Sequence, residues 1–192
     1  MHPTLIHRPV HHPGWVYEEK YDGWRVVAHK DAQAVRLISR NGKDLTRRFR
    51  ELAAAVAALP ARTLILDGEI AVFDGALLSR FEWLRERPKD ETATPPMLIA
   101  FDCLYARRKD LRDRPLRIRR QVLEEEIDGH RLILPARRLA DEGLTAWAEV
   151  LARGYEGLVA KDPASPYVGG RPLKWLKVKQ PRYREDARGW GP

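Results

Sequence analysis

One cysteine in 192 residues is too few for an internal disulfide, so covalent cross-linking plays no part in this fold. A lone thiol, Cys103, fits a reducing compartment and reads as packed and inert. No apolar run approaches the ~18 residues of a membrane span, so no transmembrane segment is expected. The opening Met1-His2-Pro3-Thr4-Leu5 lacks a basic stretch followed by an apolar one, so no secretory signal is expected either. Repeats and low-complexity tracts are absent. What remains is a chain long enough for one domain with a real core, 44% hydrophobic and 32% charged, and therefore globular. A cytoplasmic location is the expectation.

Charge is what the sequence has in excess. Thirty-five Lys and Arg against 27 Asp and Glu give a formal +8, with arginines spread along the whole length. Such a balance suits either a solvated basic surface or a phosphate-rich partner bound with release of counterions. The motifs below favour the second.

Trp15 to Lys20 reads as a strand entering a loop, with Trp24 to Lys30 and Ala34 to Ser39 as the next strands. Asn41-Gly42 signals a turn. Glu51 to Leu59 is an alanine-rich helix stopped by Pro60. Thr63 to Leu66 and Ile70 to Phe73 are apolar strands on either side of Asp67-Gly68-Glu69, and Ser79 reads as the N-cap of a helix through Phe81, Trp83 and Leu84. Met97 to Tyr105 reads as a buried strand. Leu116 to Ile127 reads as an amphipathic helix with its charges outside. Arg131 to Leu134 is a short strand, and Leu144 to Ala152 a helix closed by Gly154. Gly157 to Lys161 and Leu173 to Lys179 are the last strands. Many short strands with interspersed helices, lacking regular βαβ alternation, predict an α+β domain with much antiparallel sheet.

Four runs carry the chemistry: Glu18-Glu19-Lys20-Tyr21-Asp22-Gly23-Trp24-Arg25, Asp67-Gly68-Glu69, Tyr155-Glu156-Gly157-Leu158-Val159-Ala160-Lys161 and Lys177-Val178-Lys179. A lysine attacks phosphorus as the neutral amine, a form that burial and neighbouring cations favour. Glycine at 23 allows the lysine-bearing loop a close approach to a ligand. Glu69 and Glu156 are a reasonable supply for Mg²⁺, which takes one or two carboxylates beside water and phosphate oxygens. Alternation along a strand points Lys177 and Lys179 to one face, where two ammoniums suit a phosphate. Asp102, inside the apolar run Ile99 to Tyr105, needs a buried partner. His7, His11 and His12 lack the partners of a metal site and read as an ordinary arm.

In order and wording these runs resemble the covalent nucleotidyltransferases, most closely the ATP-dependent DNA ligases of bacterial end-joining type, including the ligase domain of ligase D. Glu18-x-Lys20-x-Asp22-Gly23-x-Arg25 resembles their motif I. Ser39-Arg40-Asn41-Gly42 is similar to the next motif, Asp67-Gly68-Glu69 to motif III, and Ile99 to Tyr105 to the motif whose aromatic stacks on adenine. The run around Glu156 resembles motif IV, and Trp175 to Lys179 motif V. Six matches in order span Glu18 to Lys179.

The resemblance implies an α+β nucleotidyltransferase fold, ATP-grasp-like, with antiparallel sheets and flanking helices around an ATP cleft over residues 1–179. Lys20 would become AMP-linked. Glu18 and Phe101 would hold adenine, Arg25 and Glu69 the ribose, Lys177 and Lys179 phosphates, Glu69 and Glu156 a Mg²⁺ or Mn²⁺ ion, and Arg40 the phosphate of a DNA nick. Nicked or broken duplex DNA is the implied partner, and a nucleoid-associated setting follows from it. RNA ligases and other nucleotidyltransferases, and a non-catalytic DNA-end-binding protein, are the alternatives. The sequence departs from the family after motif V, where residues 180–192 read as a short basic tail in place of an OB-fold domain. That departure leaves open a protein partner supplying the OB-fold or an end-joining function.

Overall fold

The structure, a computed structural model, describes residues 1–86, 89 and 91–181. The tail expected at 180–192 therefore lies outside the described residues from position 182 onward.

Two sheets face each other. The small one runs β1 (Thr4–Leu5), β10 (Trp175–Lys179), β9 (Gly157–Lys161) and β2 (Val16–Lys20) in that spatial order. Its pairs are antiparallel except β1–β10. The large one runs β4 (Ala34–Ser39), β3 (Trp24–Asp31), β5 (Thr63–Ala71), β6 (Met97–Ala106) and β7 (Lys109–Asp110), all antiparallel. β8 (Ile133–Pro135) adds a short parallel partner to the first half of β6. Helices α1 (Arg50–Ala58) and α2 (Leu116–Ile127) seal the large sheet with Leu52, Val56, Leu123 and Ile127 over Val26, Leu37, Leu66 and Cys103. Helix α3 (Gly143–Arg153) seals the small sheet with Ala146 and Val150 over Tyr17, Leu158, Ala160 and Val178. The α+β class and the antiparallel sheets agree with the sequence reading.

Strand alternation does the rest. On β2, β9 and β10 the residues that meet α3 alternate with Glu18, Lys20, Val159, Lys161, Trp175 and Lys177, which line the gap between the sheets. Each of these three strands thus gives one face to the core and one to the gap.

Three expectations are corrected. Asp67-Gly68-Glu69 does not separate two strands, because β5 runs through it. Asp67 can stay in a buried strand because Arg25 meets its charge, with Nε 3.0 Å from Oδ1 and Nη2 2.6 Å from Oδ2. Ser79 caps no helix. It bridges Phe73 in extended geometry and its hydroxyl accepts from the Asp22 amide at 2.9 Å, while Glu82–Leu84 makes only one 3-10 turn. Helix α2 also turns charge inward: Arg119, Arg120 and Glu126 are buried there. Arg119 reaches Asp102 with Nε and Nη2 at 2.7 and 2.8 Å, which supplies the partner that a carboxylate in that strand needs.

Other local expectations stand. Gly154 closes α3 at φ 73°, a left-handed C-cap that glycine adopts without a Cβ penalty. At the other end Glu142 caps the helix, accepting from the amides of Leu144 and Thr145 at 3.1 and 2.6 Å. His11 ties the N-terminal arm to this helix through Nδ1, which accepts from the Gly143 amide at 3.2 Å. Cys103 is fully buried, and burial pushes its thiol up to about 12, so the sulfur stays protonated and inert.

Candidate active site

The gap between the sheets is an open cleft. The small sheet gives it Glu18, Lys20, Lys161, Trp175 and Lys177, and the large sheet gives it Arg25, Glu69 and Phe101. Arg40 lies at its exposed edge. Seven of the nine site residues expected from the sequence therefore converge on one space. Glu156 and Lys179 are the exceptions: neither is among the residues that line the cleft, and Glu156 pairs with both Lys20 and Lys179.

Lys20 ends β2, with Gly157 of β9 opposite it. Lys179 ends β10 and faces the same glycine from the other side. The register therefore brings both lysines to the carboxylate next to Gly157. Lys20 Nζ is 2.5 Å from Glu156 Oε2, and Lys179 Nζ 3.1 Å from Oε1, with the carboxylate itself buried. The loop after Lys20 folds tightly against β5, and a Cβ on Gly23 would fall 2.3 Å from the Ile70 carbonyl and 2.9 Å from Glu69 Cγ. Only glycine lets that loop bring the lysine beside Glu69.

Glu69 is opposite Arg25 across the β3–β5 pair. Desolvation pushes its carboxyl up to about 8, opposed by Lys20 and Arg25 and reinforced by Glu156 and Asp67. A cation arriving in the cleft would relieve that cost. No group of three or more His, Cys, Asp or Glu gathers among the described residues. Of the two carboxylates expected to serve a metal, Glu69 lines the cleft, whereas both oxygens of Glu156 are engaged by lysines, so Glu156 reaches an ion only by releasing one. Mg²⁺, held mostly through water and phosphate oxygens, needs no more than one or two such groups.

One end of the cleft is built by a bulge. β5 and β6 pair Asp67 with Asp102 and Gly68 with Ala100, which leaves Phe101 as the extra residue and re-aims its ring into the cleft. The Arg25 guanidinium carbon and Lys161 Nζ lie 5.3 and 4.8 Å from the ring centre. Glu18 has both oxygens engaged, with Arg120 Nη1 at 3.1 Å from Oε1 and Lys161 Nζ on Oε2. Its carboxylate therefore fixes Lys161, whose ammonium is also 4.2 Å from the Trp175 ring centre.

Lys177 has its ammonium destabilised by burial first and then by Lys20, Lys179 and Arg171, with Glu156 opposing. Sequence reasoning did not assign Lys161, Arg120, Asp67 or Tyr167. Lys161 carried a signal, since it stands two residues after cleft-lining Val159 on the same strand face. Tyr167 carried none: its hydroxyl donates to Asp67 Oδ2 at 2.6 Å from 100 positions away.

Solved structures place this two-sheet cleft in a known class. The ligase domain of Mycobacterium tuberculosis LigD superposes with a TM-score of 0.74 and 30% identity, over 92% of this chain and 58% of that one. A mycobacterial DNA ligase D complexed with ATP and MES gives 0.73 and 29%, over 92% and 60%. The fold is that of a ligase nucleotidyltransferase domain. A family model described as "ATP dependent DNA ligase domain" matches residues 4–179, and the chain belongs to that family. It is also similar to a probable DNA ligase of Sorangium cellulosum, 38% identical over 178 residues, 86% of this chain and 33% of that protein. The chain spans about a third of the length of such curated relatives.

Proposed function

We propose that this chain carries out nucleotidyl transfer for an ATP-dependent DNA ligase, forming a lysyl-AMP and passing the AMP to a DNA 5′-phosphate for strand joining in repair. The observation that carries the reading is the cleft-facing Lys20 with Glu156 at 2.5 Å and Glu69 alongside.

Lys20 Nζ attacks the α-phosphorus of ATP, forming an N–P bond as the bond to the pyrophosphate oxygen breaks. Glu156 is the group placed to take the proton that the amine must lose. Phe101 and Glu18 form the adenine end, Arg25 and Glu69 the ribose end, and Lys177 and Lys179 neutralise phosphate charge. Glu69 and Glu156 would hold a Mg²⁺ or Mn²⁺ ion, which supplies charge neutralisation on the phosphates. In the next step the lysyl N–P bond breaks as the DNA 5′-phosphate oxygen takes the AMP. A 3′-hydroxyl then displaces AMP to form the phosphodiester.

Arg40, exposed at the cleft edge, is assigned to the nick phosphate, and the +8 charge to phosphate contacts generally. The relatives' greater length leaves room for a second, OB-type unit that clamps DNA, in the same polypeptide or on a partner protein. No helix among the described residues is long and apolar enough to cross a membrane.

The test is sealing of nicked duplex DNA, nicked RNA and pre-adenylated nicked DNA under one set of conditions, across a salt series. Sealing of both DNA substrates, slower for the ordinary nick and falling with salt, is expected. Sealing of RNA in preference to DNA would overturn the substrate assignment, and no AMP transfer to any end would overturn the reading.

A further inference from the structure

His2 belongs to none of the motifs, yet it lines the same cleft as Lys20. Three anchors fix it there. The Met1 side chain is buried against Leu116 and Trp175, the His2 amide donates to the Gly170 carbonyl at 2.8 Å, and Thr4 begins the pairing of β1 with β10. The imidazole meets Arg25, whose Nη1 is 3.0 Å from His2 Nδ1. Arg25 is itself locked in orientation by its two bonds to Asp67.

This contact sets the tautomer. A guanidinium has only donors, so His2 Nδ1 accepts and the ring proton resides on Nε2. Desolvation and then the charges of Arg25 and Arg40 depress the imidazole's basicity, with Asp67 opposing, so the ring stays neutral. Nε2 has no hydrogen-bond partner among the described residues and is not a buried orphan. It is therefore a free N–H donor in a cleft that Arg25, Arg40, Arg171 and Lys177 line together with Glu18, Glu19 and Glu69. The side-chain charges acting on the ring are those of Arg25 and Arg40, opposed by Asp67, which is itself paired with Arg25, so the balance favours an anionic acceptor.

We propose that His2 is a substrate-contacting residue, its Nε2–H donating to a phosphate oxygen held between Arg25 and Arg40. The proposal rests on the nucleotidyltransferase reading above. Two sources present that chemistry, a phosphate of ATP and the 5′-phosphate of the DNA end. In either case His2 adds direction to the contact without adding charge.

Three variants separate contact from scaffolding. His2→Gln carries a donor at the Nε2 position and loses the acceptor for Arg25. His2→Asn keeps that acceptor and loses the donor, and His2→Ala loses both. Lysyl-AMP formation against ATP concentration and AMP transfer from preformed lysyl-AMP to nicked DNA are measured for each. Calorimetric binding of ATP and of nicked DNA is measured alongside and reads the contact even in a preparation that forms no adduct. The expected result is a loss of roughly tenfold or more in Ala and Asn, the scale of one hydrogen bond to a charged acceptor, with Gln near wild type. A loss confined to the KM or affinity for ATP names the nucleotide phosphate as acceptor, and one confined to AMP transfer or DNA affinity names the DNA phosphate. Recovery by Asn with loss in Gln would reduce His2 to a support for Arg25 and overturn the proposal, as would four proteins alike in every step. A wild type without lysyl-AMP, but with the expected binding pattern, would instead count against the nucleotidyltransferase reading alone.

Discussion

Lys20 Nζ and Glu156 Oε2 stand 2.5 Å apart, and the second carboxylate oxygen is held by Lys179 at 3.1 Å. A single buried carboxylate thus holds two cations from the strands on either side of β9, which fixes the position of the Lys20 amine before any ligand arrives. Positioning of this kind removes part of the entropic barrier to a bimolecular attack.

Replacing Glu156 by Gln preserves the shape and a hydrogen bond but removes the charge and the proton acceptor. Lysyl-AMP formation should fall by about 10² or more, the scale of a lost general base. The melting temperature should move only a few degrees, because both lysines keep an exposed fraction (19% and 29%) from which water can solvate them. Single-turnover labelling beside a thermal melt checks both, and an unchanged rate would remove Glu156 from the chemistry.

The pair Asp102–Arg119 is of another kind. Both side chains are fully buried and doubly hydrogen-bonded beside the bulge that aims Phe101. Arg119→Ala leaves an uncompensated buried carboxylate and should cost about 3–5 kcal/mol in denaturant unfolding. A loss below about 1 kcal/mol would mean that water or another cation reaches Asp102.

Glu19 gives a signature in pH. It lies on the core face of β2, with Oε2 3.3 Å from Arg137 Nη1 and lacking a hydrogen bond among the described residues. Burial pushes its carboxyl up to about 7 from an ordinary 4.5, against the pull of Arg137. Between those values the unfolded chain has already lost the proton that the folded chain retains. Folding stability from this group is therefore full below about pH 4.5 and falls as pH rises toward 7. The loss is on the order of 2–3 kcal/mol. Glu19→Gln should flatten that part of the stability–pH curve. A variant whose curve parallels the wild type between those limits would contradict the buried-acid account.

The lysine-bearing strands were legible because period-two alternation and the punctuating glycines are local signals. The candidate site residues came from the family resemblance of their motifs, and seven of the nine line one cleft. Asp67-Gly68-Glu69 misled because Asp-Gly is turn chemistry. Its place inside β5 depends on Arg25 from another strand and on a glycine so close to β6 that a Cβ would fall 2.7 Å from the Ile99 carbonyl. The inward charges of α2 were illegible since their partners, Asp102 and Glu18, lie 17 and 102 positions away. Helical periodicity reads an arginine as surface, and only tertiary pairing turns it inward.

The central claim is that Lys20 is the nucleophile, and the most direct measurement is incubation with α-labelled ATP and Mg²⁺ followed by denaturing electrophoresis and peptide mapping. Label should remain on the denatured wild-type chain as a phosphoramidate, map to the peptide bearing Lys20, and be absent from Lys20→Ala. Full labelling of Lys20→Ala, or a label mapped to Lys161, Lys177 or Lys179, would contradict the account.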